Sequence, residues 1–186
     1  MTEIALFGTS ADPPTIGHQA ILTWLSEQFD KVVVWASDNP FKRQQTPLEH
    51  RTAMLSVLIE EINTTQNNIA LHPELSSRRT LETLEGAKKY WPEAKYTLVI
   101  GSDLVQQIPQ WYRIESLLNQ VKLLIIPRPG YTVEDPHLDT LRNLGGQLKI
   151  ASITGLPVSS TNYRKTGDIH ALPPPIQAYI QRKHLY

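Results

Sequence analysis

The sequence predicts an α/β fold in which a mostly parallel sheet is covered by helices on both sides, the doubly wound arrangement. Segments of strand-type pattern alternate with segments of helical periodicity along the chain, and such alternation is typical of parallel sheets. The segment KVVVWA at 31–36 is apolar after its first residue and largely β-branched, as expected for a strand buried on both faces. No repeat or long linker divides the 186 residues, so we expect one domain over 1–186.

The individual elements follow from local signals. A first strand is expected at 4–7, where a short apolar run ends at Gly8. A helix over 18–29 carries apolar residues at helical spacing. The next helix is expected to begin at Thr46 as cap, with Pro47 first and Glu49 third, and to run to about residue 62. Further strands are predicted at 69–72, 96–100, 123–126 and 148–153, and further helices at 80–90 and 174–183.

Composition limits the classes of partner. Eighteen basic residues balance eighteen acidic ones, so we expect no nucleic acid polymer as partner. No apolar stretch approaches the roughly 20 residues of a membrane span, and the N-terminal MTEIALFG lacks the features of a secretory signal. Zero cysteines suit a cytoplasmic protein, and the isolated histidines predict no protein-built metal site. The sequence leaves the oligomeric state open, a homo-oligomer included.

The turn between the first strand and the first helix carries the first candidate site. Gly8 lets the backbone turn sharply and approach a ligand closely. Thr15 and His18 lie at or near a helix N-terminus, where free N–H groups favour phosphate and both side chains can donate hydrogen bonds. The plainer interpretation is a surface or capping histidine. The candidate nucleotide contacts of this turn are Gly8, Thr9, Ser10, Thr15, Gly17 and His18.

A run of hydroxyl residues after Pro157 forms the second candidate site. Ser159, Ser160 and Thr161 open a helix and offer donors to phosphate oxygens, with the charge of Arg164 one turn further on. The alternative is a Ser/Thr-rich helix cap beside a solvated arginine.

The middle of the chain adds residues suited to a nucleotide. Asp103, after a predicted strand, can accept from ribose hydroxyls or orient water around a metal, or it is a helix cap. Trp111 offers an indole face for stacking on a flat ring, or it is a half-buried core residue. Lys42 and Arg128 can meet phosphates, although loop cations are usually only solvated.

These segments resemble a known family. TIGH at 15–18 is similar to the [His/Thr]-x-Gly-His signature of the nucleotidyltransferase superfamily. VSSTNYR at 158–164 resembles the Ile-Ser-Ser-Thr-x-x-Arg of nicotinate-nucleotide adenylyltransferases, as do GSD at 101–103, Trp111 and RPGY at 128–131. The resemblance extends over roughly residues 3–183. Four positions depart from the family pattern: Thr15 stands for His, Ala11 for Phe, Arg79 for Tyr and Val158 for Ile.

The resemblance implies a Rossmann-like nucleotidyltransferase fold and a step of NAD biosynthesis. The reaction joins the adenylyl group of ATP, accompanied by Mg²⁺, to nicotinate mononucleotide. In it His18 and Thr15 are catalytic, and Thr80 contacts the pyridine end of the mononucleotide. The resemblance also implies that ATP contacts are Gly8, Thr9, Ser10, Gly17, Gly101, Asp103, Ser159, Ser160, Thr161 and Arg164. The mononucleotide contacts are Thr80, Trp111, Lys42 and Arg128.

Three other functions stay open at this point. A threonine at the position of Thr15 is commoner in pantetheine-phosphate adenylyltransferases, which share the mechanism. A member of that family would not explain the presence of Gly101 and Asp103 together with Trp111. A preference for nicotinamide mononucleotide is harder to separate, because the two pyridines differ only in carboxylate against amide. A nucleotide-binding sensor without catalysis is a third alternative, and the retained Thr15 and His18 disfavour it.

Overall fold

Parallel strands form the centre of the protein, which a computed structural model describes over residues 1–42, 45–63 and 65–186. The strands are β1 (Glu3–Thr9), β2 (Lys31–Ala36), β3 (Ile69–Leu71), β4 (Lys95–Gly101), β5 (Lys122–Ile126) and β6 (Gln147–Ile150). They form one sheet in the order β3-β2-β1-β4-β5-β6, and every pairing is parallel. The prediction of a mostly parallel sheet is confirmed.

Helices cover both faces of this sheet. They are α1 (Ile16–Gln28), α2 (Leu48–Ile62), α3 (Thr80–Tyr90), α4 (Ile114–Leu118), α5 (Asp135–Asn143), α6 (Ser160–Thr166) and α7 (Pro174–Lys183). Side chains of α1, α2, α6 and α7 share a buried cluster with Ala5 and Phe7 of β1. Those of α3, α4 and α5 pack with Ile4 and Leu6, whose side chains alternate to the opposite face. The arrangement is the doubly wound, Rossmann-like one that the sequence predicts.

The strand order reverses beside β1, where open parallel sheets form a crevice. From β1 the chain proceeds outward to β2 and β3, then returns to the other side of β1 as β4. Ligands of open α/β sheets bind at such a reversal, beyond the carboxyl ends of the strands. The segments that follow Thr9 and Gly101 border this crevice, and both contain candidate residues.

Most element bounds agree with the prediction, and a few do not. The prediction that Thr46 caps α2 is wrong. Pro47 occupies the N-cap position of this helix and provides no side-chain hydrogen bond. The reason is that the Thr46 N–H donates to Asp12 and its carbonyl accepts from Arg51. The last strand ends at Ile150, short of the predicted residue 153. Helices α4 and α5 were not predicted. None of the helices in the described part of the chain combines the length and apolar character of a membrane span.

Candidate active site

His18 is held by the residue that caps its own helix. The backbone N–H of Thr15 donates to Nδ1 of His18 at 2.9 Å, while the Thr15 hydroxyl oxygen accepts from the N–H of Gly17 at 3.2 Å. This is a reciprocal capping box in which His18 takes the third position. Because a backbone N–H can only donate, Nδ1 is the acceptor and the neutral ring carries its proton on Nε2. That nitrogen lies 3.0 Å from the hydroxyl of Thr9.

The surroundings keep this imidazole neutral. Desolvation by the protein, followed by the positive charges of Arg128 and Lys42, lowers the pKa of His18 to about 4. At neutral pH the side chain is therefore an uncharged donor whose Nε2–H points away from the helix cap. A donor of fixed direction is suited to a phosphoryl oxygen.

The second predicted motif meets the first one directly. The hydroxyl of Ser160 donates to the carbonyl oxygen of Pro13 at 2.7 Å, and the Arg164 guanidinium donates to the carbonyl of Asp12 at 2.6 Å. A Cβ added at Gly17 would lie 3.1 Å from a methyl carbon of Val158, so only a glycine fits this approach easily. The two motifs, about 140 residues apart in sequence, form one site.

Several hydroxyls of the α6 segment already have protein partners. Ser159 caps α6 by accepting from the N–H of Asn162 at 3.0 Å. Thr161 accepts a long bond from Arg164 at 3.3 Å, and Ser160 is bound to Pro13. The segment is consequently bonded to the first turn, and Thr161 and Arg164 are exposed.

Asp103 and Arg128, which the sequence assigned to different ligands, form an ion pair. Their Oδ2 and Nη1 atoms lie 2.8 Å apart, and both side chains are mostly buried. The hydroxyl of Ser102 accepts from the backbone N–H of Arg128 at 2.8 Å and fixes the loop after β5 to the loop after β4. A Cβ at Gly101 would collide with the Asp103 carboxylate. The pair lies at the crevice, and its charges offset each other.

Lys42 reaches the first turn from the loop after β2. Its ammonium donates to the hydroxyl of Ser10 at 2.8 Å, although much of the residue is exposed. Desolvation and the charge of Arg164 lower the pKa of Lys42. The structure thus brings this cation to the same site as His18.

Thr80 and Trp111 lie on the α3 side of the crevice. Thr80 is the first residue of α3, whose N-cap is Arg79, so the alternative interpretation of Thr80 as the cap does not hold. Trp111 is half-buried and packs against the core cluster that contains α3. Arg79 and Tyr112 connect the two segments, with the guanidinium carbon 4.3 Å from the centre of the tyrosine ring.

Three residues that support the first turn were not predicted as site residues. Arg51 is 2% exposed and donates to the carbonyls of Ser10, Ser37 and Thr46 at 2.7–3.0 Å. Asp12 accepts from the hydroxyl of Tyr186 at 2.5 Å. Burial opposes ionisation of Asp12, but its hydrogen bonds from Tyr186 and Thr46 hold the pKa below its ordinary value.

A sequence signal for Arg51 exists. Arg51 lies three, four and seven residues before Met54, Leu55 and Leu58, which are all fully buried. This spacing places Arg51 on the apolar face of α2. A charged residue at that spacing indicates a buried cation with backbone partners. For Tyr186 the sequence carries no comparable signal.

The chain is similar to proteins of known family. A family model described as cytidylyltransferase-like matches residues 6–166. A probable nicotinate-nucleotide adenylyltransferase of Synechocystis sp. is 45% identical, over 99% of this chain and 98% of that protein. A probable nicotinate-nucleotide adenylyltransferase of Bacillus cereus is 32% identical, over 100% of this chain and 99% of that protein.

Solved structures agree in fold. The Plasmodium falciparum nicotinic acid mononucleotide adenylyltransferase complexed with NaAD matches with a TM-score of 0.83 at 23% identity, covering 100% of this chain and 98% of that one. The same enzyme complexed with APC matches with a TM-score of 0.81 at equal coverage.

Proposed function

The chain belongs to the nicotinate-nucleotide adenylyltransferase family, within the cytidylyltransferase-like proteins, and on this basis we propose that it transfers the adenylyl group of ATP to nicotinate mononucleotide. The observation that carries the proposal is the contact between the first turn, which contains TIGH, and the α6 segment: the Ser160 hydroxyl donates to the carbonyl of Pro13. A site built from both segments suits a triphosphate. The product is nicotinate adenine dinucleotide, and pyrophosphate is released.

The chemistry requires no general base. An oxygen of the mononucleotide 5′-phosphate attacks the α-phosphorus of ATP, and the bond from that phosphorus to the bridging oxygen of pyrophosphate breaks. The attacking oxygen is already anionic at neutral pH. Catalysis then consists of positioning the two phosphates and stabilising the charge that moves toward the pyrophosphate.

His18 supplies a neutral donor for this charge. Its Nε2–H is directed by the Thr15 N–H at Nδ1, and its lowered pKa favours the neutral ring at pH 7. In the reactive complex the bond from Nε2 to Thr9 is exchanged for one to an α-phosphate oxygen. Such preorganised donors act without reorganisation during the reaction.

The α6 segment is assigned to the β- and γ-phosphates. Thr161 and Arg164 are exposed on the side of the first turn, where a hydroxyl and a guanidinium can bind phosphate oxygens. Ser159 and Ser160 keep the segment in place through Asn162 and Pro13. Lys42, beside Ser10, adds positive charge to the same region.

A divalent metal generally accompanies ATP in enzymes of this kind, and we assign Mg²⁺ as part of the substrate. Within residues 1–42, 45–63 and 65–186, no three acidic or histidine side chains form a metal-binding group. Asp12 and Asp103 are engaged by Tyr186 and Arg128. Phosphate oxygens and water are therefore the expected ligands of the metal.

The mononucleotide is assigned to the α3 side of the crevice, where Thr80 and Trp111 lie. A half-buried indole provides a flat face for an electron-poor pyridine ring. The Asp103–Arg128 pair borders the same crevice from the β4 side. Its carboxylate is suited to ribose hydroxyls and its guanidinium to phosphate.

One comparison of substrates tests the proposal. The protein is incubated with Mg-ATP and, separately, nicotinate mononucleotide, nicotinamide mononucleotide or pantetheine phosphate, and pyrophosphate release and product mass are followed. We expect kcat/KM to be at least about tenfold higher for nicotinate mononucleotide. A preference for another acceptor would reassign the substrate, and the absence of pyrophosphate with all three would indicate a sensor.

A further inference from the structure

Arg79 occupies a defined position between the two segments assigned to the pyridine end of the mononucleotide. It directly precedes Thr80, and its guanidinium carbon lies 4.3 Å from the ring centre of Tyr112, the residue after Trp111. Stacking on an aromatic face fixes the plane of a guanidinium and leaves its edges open for hydrogen bonds. Arg79 therefore has an aromatic contact that a fully solvated arginine lacks.

The other contact of Arg79 is weak. Its Nη1 donates to Glu82 at 3.3 Å, and the two side chains are 53% and 48% exposed. An exposed pair of this length contributes little, and the second carboxylate oxygen of Glu82 accepts from Ser77 instead. Among the contacts of the described residues, Nη1 is the only one of the three guanidinium nitrogens that donates a hydrogen bond. The remaining donors can bind a ligand.

On the basis of the proposed function, we infer that Arg79 is a specificity-determining residue that binds the carboxylate of the nicotinate ring. A guanidinium presents paired donors that match a carboxylate, and the charges attract. Nicotinamide mononucleotide carries a neutral amide whose NH₂ group cannot accept from these donors. Arg79 therefore favours the acid over the amide by charge and by donor geometry together.

The neighbouring Arg78 provides a matched control. It has the same charge and sits one residue earlier, but its Nε donates to Asp38 at 3.1 Å in the loop after β2. It is 71% exposed and has no assigned role in the site. General loss of positive charge near α3 is thus separable from loss of the Arg79 guanidinium.

The test measures kcat/KM with Mg-ATP for nicotinate and for nicotinamide mononucleotide in the wild-type protein, Arg79→Gln, Arg79→Lys and Arg78→Gln. We expect the ratio of acid to amide to fall about fivefold or more in Arg79→Gln. Arg79→Lys should lie between that variant and wild type, because it keeps the charge and loses the planar fork. Arg78→Gln should keep the ratio within about twofold.

An unchanged ratio in Arg79→Gln overturns the inference, even if kcat/KM falls for both mononucleotides. A purely structural role would lower kcat/KM for the acid and the amide by the same factor. Thermal unfolding of each variant shows whether α3 has been disturbed. Failure of the proposed function gives a different result, because the wild-type protein itself then forms neither dinucleotide. That result overturns both the proposed adenylyl transfer and the role of Arg79 before any variant is compared.

Discussion

The backbone N–H of Thr15 donates to Nδ1 of His18 at 2.9 Å, and this bond decides which nitrogen of the imidazole faces the crevice. The helix cap therefore also orients the imidazole that we propose as the catalytic donor. The position before the helix needs a residue whose side chain accepts from the Gly17 N–H, and Thr15 fulfils this with its hydroxyl. Its N–H then orients the ring three residues later.

Replacing His18 by Ala should lower kcat by roughly 10²–10³-fold, the usual cost of losing one preorganised donor. His18→Gln offers an amide N–H in place of Nε2–H and should lose less. Steady-state kinetics with Mg-ATP and nicotinate mononucleotide measure both effects. Circular dichroism of each variant provides the control for folding, and near-normal turnover by a folded His18→Ala protein would reject the role of the imidazole.

The low pKa of His18 predicts a stability that depends on pH. The pKa is about 4 in the folded state and about 6.5 in the unfolded chain, so the unfolded chain binds more protons between these values. The contribution of His18 to the free energy of unfolding is therefore highest above pH 6.5. It should fall by about 2 kcal/mol between pH 7 and pH 5.

Urea unfolding at the two pH values measures this change. Other groups titrate over the same interval, so the informative quantity is the difference between wild type and His18→Gln, which lacks the imidazole. If both proteins lose equal stability between pH 7 and pH 5, the ring is not desolvated in the folded state.

The Ser160–Pro13 bond predicts that Ser160→Ala disturbs the first turn from a distance of 147 residues in sequence. The Pro13 carbonyl loses its hydroxyl donor, at a cost of about 1–2 kcal/mol. Because α6 is then held to the turn less firmly, with the Arg164–Asp12 bond remaining, we expect KM for ATP to rise more than kcat falls. The control is Thr166→Ala, which removes another hydroxyl of α6. That hydroxyl donates to the Asn162 carbonyl and accepts from the N–H of Asp168, so its loss should leave KM near wild type.

The features predicted correctly depend on short stretches of sequence. The limits of β2, α3 and α7 follow from runs that are locally unambiguous, such as KVVVWA or the prolines at the start of α7. Helix α5 was missed because DPHLDTLRN is mostly polar and buries only Leu138 and Leu141. Its five-residue neighbour α4 is too short to show a periodicity.

The wrong prediction for Thr46 and the unpredicted Asp103–Arg128 pair both arise from contacts between distant segments. Thr46 has every local property of a cap, but Asp12 and Arg51 bind its backbone instead. Asp103 and Arg128 follow different strands, and their pairing depends on β4 and β5 being neighbours in the sheet. No local pattern contains that information, so the sequence assigned the two residues to separate ligands.

Arg51 should be among the most sensitive positions for stability. It is buried and donates to three carbonyls in two loops, the turn after β1 and the segment between β2 and α2. Arg51→Met therefore leaves those oxygens without their partner. We expect a loss of about 3 kcal/mol or more in the free energy of unfolding by urea. Arg142→Gln is the matched control, since Arg142 is exposed and its guanidinium pairs with the exposed Asp139 one turn earlier. It should change stability by less than about 0.5 kcal/mol.

The end of β1 predicts a coupling between Gly8 and Trp35. A Cβ at Gly8 would lie 2.5–2.6 Å from three atoms of the Trp35 indole, which is 4% exposed and has little room to move. Gly8→Ala should therefore destabilise the protein by about 1–3 kcal/mol and displace the adjacent Thr9, lowering kcat as well. Trp35→Phe removes part of the ring and creates space at the same point.

The double variant Gly8→Ala, Trp35→Phe should be more stable than the sum of the two single losses predicts, by about 0.5 kcal/mol or more. Unfolding in urea of all four proteins gives this coupling energy. Kinetics on the same four proteins show whether kcat recovers in the double variant. It should recover if the clash between the Cβ added at Gly8 and the indole is what displaces Thr9. Additive losses would mean that the indole shifts freely and that Gly8 serves another purpose.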